Sequence, residues 1–156
     1  MQICAQEPVL NQTTIKTIYR IESAKGVGLY SYAKAAEFAH RTLIDCKRHP
    51  TPSDDSLLVA NVQEYTCKSY FYIDEHMHFG FCSVEQLRSW IYKDEWLVKL
   101  HKYGLKIAEY RLYSENVCEG NTQAIFDGGE VLHKKQYSIL EYFGFTEDEE
   151  AKSCLI

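Results

Sequence analysis

Arg20 and Glu22 stand two residues apart in Thr17-Ile-Tyr-Arg-Ile-Glu22, and Lys25-Gly-Val-Gly28 follows them. On a strand, residues two apart share a face, so both charges would look the same way, with Ile18 beside them. An arginine next to a glycine turn is chemistry for an anion. The guanidinium forks onto phosphate or carboxylate, and glycine lets the backbone approach a ligand closely. The turn lacks the full Gly-x-Gly-x-x-Gly spacing and the Gly-Lys-Ser/Thr ending of phosphate loops. An ordinary turn and a solvated Arg20–Glu22 pair on a strand edge are therefore the competing readings.

The segment Phe81-Cys-Ser-Val-Glu-Gln86 reads as a helix entrance, where free amides and the positive end of the dipole favour an anion. Tyr30 and Phe81 could stack on a base, and Asp54 or Glu85 could accept from ribose hydroxyls. Together these residues predict a pocket built from Arg20, Glu22, Gly26, Gly28, Tyr30, His49, Asp54, Phe81, Ser83 and Glu85. The Gly26–Tyr30 turn would form it, closed by the His49–Asp54 loop and the Phe79–Glu85 helix entrance. Core packing of the aromatics is the alternative.

Three other constellations compete. His76, His78 and Cys82 offer three zinc-type ligands in seven residues, but no fourth ligand is evident and the spacing matches no common zinc knuckle. No metal and no cofactor are expected. His40-Arg-Thr42 and His49-Pro-Thr51 could pair an acid–base histidine with a phosphate-holding hydroxyl. They lie nine residues apart, one in a predicted helix and one in a proline loop, which argues against a shared site. Cys82, just ahead of a helix N-terminus, is the best nucleophile by position, and a small buried thiol is the more ordinary fate.

These residues must be placed by the elements around them. Ile15–Ile21 is rich in β-branched and aromatic residues and predicts a strand, as does Ser69–Ile73. Leu105–Tyr113 alternates apolar and polar residues and predicts a half-buried strand. Asn121–Phe126 is its expected partner across a Gly120 loop. Ser31 can cap a helix over 31–48, ended by His49-Pro-Thr-Pro52. Ser83 and Gln86 fit a capping box opening a helical region over 83–102, with Leu87 and Trp90 in the core and Gly104 as a left-handed cap. Leu57–Val62 is ambiguous between helix and strand, and Tyr137–Phe143 predicts a short helix. The expectation is an α+β domain over 14–145, an antiparallel sheet from strands near 15–21, 69–73, 105–113 and 122–126, with helices on one face. An irregular arm over 1–13 and an acidic tail over 146–156 complete the chain.

Bulk properties exclude several classes. Lys and Arg number 17 against 22 Asp and Glu, with net charge -5, so a nucleic-acid backbone is not the expected partner. No apolar run is long enough to span a bilayer. The first residues lack a signal-peptide pattern, and Cys154 stands one place too late for a prenylation box. The six cysteines are scattered without a Cys-x-x-Cys pair, which predicts free thiols in a reducing, cytoplasmic setting. The 12 tyrosines suit strands, a pocket or an interface, and leave a homodimer open.

Three pieces in order, Tyr19-Arg-Ile-Glu22 with Gly26-Val-Gly28-x-Tyr30, His49-Pro-Thr-Pro52 with Asp54-Asp55, and Phe79-Gly-Phe81-x-Ser83-x-Glu85-Gln86-Leu87-x-x-Trp90 with Gly104-x-x-Ile107-x-x-Tyr110, resemble a family of small, mostly uncharacterised proteins of tailed bacteriophages. The resemblance covers roughly residues 18–126, and the stretch from Leu57 to His78 departs from it. It implies an accessory protein acting against host defence, and defences that signal through cyclic or NAD-derived nucleotides make a nucleotide-binding sponge the leading expectation. Two alternatives remain. Arg20, Ser83 and a late Glu119 or Gln123 loosely resemble the residue order of ADP-ribosyltransferases, without their Glu-x-Glu element, and an inhibitor that binds a host protein needs no pocket at all.

Overall fold

The computed structural model describes residues 13–29 and 51–146. Residues 1–12, 30–50 and 147–156 lie outside that description. With them go the expected 31–48 helix, Tyr30, His49 and nearly all of the expected arm and tail.

In chain order the elements are β1 (Ile15–Glu22), α1 (Ser56–Thr66), β2 (Met77–Gly80), α2 (Val84–Trp90), α3 (Asp94–Lys102), β3 (Lys106–Tyr113), β4 (Val117–Glu119), β5 (Ala124–Asp127), β6 (His133–Ser138) and α4 (Ile139–Phe143). The fold is α+β, and its strand pairings are antiparallel. The expected single sheet is two sheets of three strands, ordered β1-β3-β6 and β2-β5-β4.

Side-chain alternation decides the layers. On one face of the first sheet Tyr19, Ile21, Ile107 and Tyr137 meet α2, α3 and α4 through Leu87, Trp90, Leu97, Leu100 and Ile139. On the other face Ile18, Ala108, Tyr110 and Leu112 meet Ala124 and Phe126 of the second sheet. That sheet's outer face, with Met77, Cys118 and Ile125, is covered by Leu58 and Val62 of α1. Helices, sheet, sheet and helix therefore stack in turn. β3 was expected to be half-buried, yet it lies between β1 and β6, and both Ile107 and Ala108 are fully buried. Among the described residues no helix is long and apolar enough to cross a membrane.

Several expectations are corrected. Residues 69–73 form no strand, because the ladder position beside β5 is filled by β2, with Phe79 opposite Ile125. The 69–73 loop instead follows Cys67, which ends α1 in the left-handed region at φ 54°. The ambiguous 57–62 segment is helical because Asp55 caps it, accepting from the Leu58 amide at 3.1 Å. The 83–102 region is two helices. Arg88 reaches over the break and donates to the Ile91 and Tyr92 carbonyls, which a continuous helix would have satisfied internally. Gln86 does not close the capping box on Ser83: its Oε1 accepts from the Cys82 amide at 2.8 Å, one residue further back. β5 pairs with β2 and β4, not with β3, whose second neighbour is β6. The expected helix over 137–143 begins only at Ile139, because Tyr137 and Ser138 end β6.

Candidate ligand pocket

The two sheets cross where Tyr19 and Phe81 exchange a pair of backbone hydrogen bonds, each 2.8 Å. Gly80 permits this approach. A Cβ there would sit 2.5 Å from Ile18 Cγ2 and 3.0 Å from the Tyr19 carbonyl oxygen. A glycine inside a strand marks such a crossing. Beside it, the chain leaves β1 through a turn closed by Ser23 and Val27, with Gly26 at φ 81°, and returns to bridge Glu22 at Gly28. Between the turn and β2 lies a cavity of about 180 Å³. Its apolar wall includes Leu29, Phe79 and Phe81, and its polar groups come from Arg20, His78 and Gln123.

The electrostatics of this corner centre on Glu22. Glu22 is fully buried. Its carboxylate accepts from Tyr110 Oη at 2.5 Å and Gln136 Nε2 at 2.6 Å, meets Lys134 Nζ at 2.5 Å, and stands 3.6 Å from Arg20 Nε. One anion thus faces two cations. Nε and Nη1 of Arg20 are buried and have no hydrogen-bond partner among the described residues. Burial pushes the guanidinium down from its ordinary value, while Tyr110 and Glu22 hold it up. Arginine stays protonated in proteins, so Arg20 keeps its charge in this corner. Burial, and after it Arg20, pushes His78 down. That favours a neutral ring, which packs on Phe126.

Of the residues singled out in the sequence, Arg20, Gly28 and Phe81 line the cavity, and Glu22 braces Arg20 from behind. Gly28 lies so close that a Cβ would land on the Arg20 guanidinium. Gly26 shapes the turn near Lys134. Phe81 is a wall and not a stacking platform, since its ring is buried edge-on against Trp90. Asp54, Ser83 and Glu85 do not line the cavity. Asp54 is bound by Thr51 in its own turn, and the Ser83 hydroxyl caps α2. Tyr30 and His49 lie outside the described residues. Sequence reasoning missed His78 and Gln123 as lining residues. His78 had been grouped as a zinc ligand, and Gln123 had been named only as an alternative to Glu119 in the transferase-like order.

The competing constellations fare differently. Among the described residues the one group with metal-ligand spacing is Asp74, Glu75 and His76, and neither His78 nor Cys82 belongs to it. Glu119 is held by Lys16 at 2.5 Å. Neither Glu119 nor Ser83 reaches the cavity that Arg20 and Gln123 share, so the transferase-like residue order does not converge there. Burial pushes the Cys82 thiol up to about 12, with Glu119 adding to it, and the Cys118 thiol up to about 11. Cys67 is exposed. Because the thiolate is the nucleophile, Cys67 is expected to react first of the three described cysteines with a thiol reagent at neutral pH, with Cys82 and Cys118 reacting more slowly. Mass mapping of a timed alkylation checks this order, and early labelling of Cys82 would contradict it.

No curated protein and no solved structure matches this chain. A family model does: it matches residues 11–140 and is described as Bacteriophage T4 Y00F protein. The matched stretch holds every described element except the last turn of α4 and contains the cavity, so this chain belongs to the bacteriophage T4 Y00F protein family.

Proposed function

We propose that this phage protein binds and sequesters a small anionic ligand of nucleotide type in the Arg20 cavity, without chemistry on it. The observation that carries this reading is Arg20. Its Nε and Nη1 are buried beside a cavity without a hydrogen-bond partner among the described residues, where the Glu22 carboxylate faces both Arg20 and Lys134. A buried donor left unsatisfied costs about 1–3 kcal/mol, more when charged. A phosphate or carboxylate entering from the cavity would recover that cost. The apolar wall suits a flat ring attached to the acidic group. The cavity, at about 180 Å³, is below the usual range of roughly 300–1,000 Å³ for drug-sized ligands. It would take one end of a nucleotide and leave the remainder outside. In a phage protein, holding such a signal would blunt a host defence that depends on it.

Binding, and not turnover, fits the side chains at hand. Cys82 is a poor nucleophile, and His78 and Gln123 are the remaining polar side chains in the wall. The test is to heat the protein with NAD, ADP-ribose isomers, cyclic di- and trinucleotides and inorganic phosphate in turn. Ligand at about 100 times its Kd stabilises by about 2.7 kcal/mol, which should raise Tm by roughly 5–10 °C at this chain length. Bound compound released by heat should be intact by mass spectrometry. Arg20→Met should abolish the shift, and Gly28→Ala should weaken it by pushing the guanidinium aside. If no compound raises Tm, the reading is wrong. If nicotinamide or other fragments are released, the protein is an enzyme.

A further inference from the structure

Lys68, Tyr70 and Tyr72 form an exposed aromatic patch whose residues do not line the Arg20 cavity. The chain leaves α1 through the left-handed Cys67 and exposes Tyr70 and Tyr72 at 57% and 40%. Their rings meet edge to face with centroids 6.2 Å apart. The ammonium of Lys68 lies over both, 5.7 Å from the Tyr70 centroid and 5.1 Å from the Tyr72 centroid. Tyr72 and Lys68 also wall a cavity of about 200 Å³ whose other side carries Tyr65, Asp74 and Asp127. Asp127 is fixed as a carboxylate acceptor by Tyr65 Oη and the Gly129 amide, both at 2.8 Å. Glu75, exposed, continues the acidic edge.

Aromatic faces attract cations through the ring quadrupole, and carboxylates beside them select for charge. The surface therefore already holds an ammonium, but one from its own chain. We infer that this patch docks a lysine or arginine side chain of a protein partner, with Lys68 as an internal placeholder that the incoming side chain displaces. Charge complementarity argues for a basic partner, since the chain carries net charge -5 and the patch adds Asp74, Glu75 and Asp127. Openness argues for a protein and against a free small cation. A single exposed cation–π contact is weak, so useful affinity needs neighbouring contacts that a protein brings with it.

The placeholder makes the proposal testable. A tethered competitor acts at an effective concentration in the millimolar range for a short link, so removing it should tighten binding of an external cation. The probe is a hexapeptide with two lysines in a glycine background, with its arginine and glutamate counterparts and spermidine as controls. Binding is followed by NMR shifts of the tyrosine rings. The lysine and arginine peptides should move the Tyr70 and Tyr72 signals, and the glutamate peptide should not. Lys68→Ala should tighten the lysine peptide by about three- to tenfold. Tyr72→Ala should abolish binding, and Tyr70→Ala, at an exposed position that the fold does not need, should weaken it. Unchanged affinity in Lys68→Ala, or retained affinity in Tyr72→Ala, would overturn the proposal. Spermidine binding as tightly as the peptides would do so too, by making this a small-cation site. None of these outcomes depends on what occupies the Arg20 cavity.

Discussion

Glu22→Ala is expected to lower unfolding free energy by about 3–5 kcal/mol, the range for removing one member of a buried ion pair. Glu22 has no solvent exposure and serves Tyr110, Gln136 and Lys134 as well as facing the Arg20 guanidinium, groups from three strands. Without it, Arg20 loses its nearest anion while still buried, and the Tyr110 hydroxyl and the Gln136 amide lose their acceptor. Lys134 is about one-third exposed and can turn to water, which keeps the loss from being larger. Glu22→Gln keeps the volume and one acceptor oxygen, so it should fall between the alanine variant and the native chain. Denaturant titration checks this, read as a shift in midpoint at constant slope. Adding Arg20→Met to Glu22→Ala should restore part of the loss, because the stranded cation is then gone. If the double variant is as unstable as the sum of the singles, charge is not what Glu22 answers.

Asp55→Ala is expected to cost about 3 kcal/mol. Asp55 caps α1 and also accepts from the Thr122 amide at 2.8 Å and the Thr122 hydroxyl at 3.0 Å. Loss of an N-cap costs about 1 kcal/mol, and a stranded buried amide about 1–3 kcal/mol. At this chain length the Tm should fall by roughly 6–12 °C. Burial alone would push the Asp55 carboxyl up, but the hydrogen bonds from Thr122, Asn121 and Leu58 outweigh it and hold the group below its ordinary value. The sign follows. A carboxyl depressed in the folded state stabilises fully above its unfolded pKa, about 3.9. That contribution is lost as pH falls through the lower folded value. The gap between the native chain and Asp55→Ala should therefore be widest near neutral pH and narrow below about pH 4. Thermal melts at pH 7 and pH 3 measure it, and an equal gap at both would rule out the ionised form.

Local signals were legible wherever one element decided the outcome alone. The β-branched run of β1, the Ser83 cap and the glycine after α3 are such cases, and Gly104 sits at φ 79° as a left-handed cap requires. β6 was invisible because His133-Lys-Lys-Gln136 has no apolar alternation, and as an edge strand with no buried residue it needs none. Residues 69–73 misled because strand-type residues make a strand only where a neighbour has a free edge. At the pocket, Arg20 and Gly28 were readable as an anion-type pair near a turn. The burial that gives Arg20 its interest was not, because Glu22's partners Tyr110 and Gln136 lie 88 and 114 positions away. No local pattern reports on a group satisfied at that distance.

The pairing of β1 with β3, Ile15 opposite Tyr113, has a consequence for how the chain is made. Among the described strands, β1 has no neighbour for its ladder until β3 has followed it out of the ribosome. At roughly 5–20 residues per second of synthesis, β1 waits several seconds with its apolar face unpaired. Pairings this far apart in sequence also fold slowly, because the loop must close before the contacts form. β1 is therefore open to proteases and to aggregation until β3 emerges, and Glu22 gains its Lys134 and Gln136 partners only once β6 has followed.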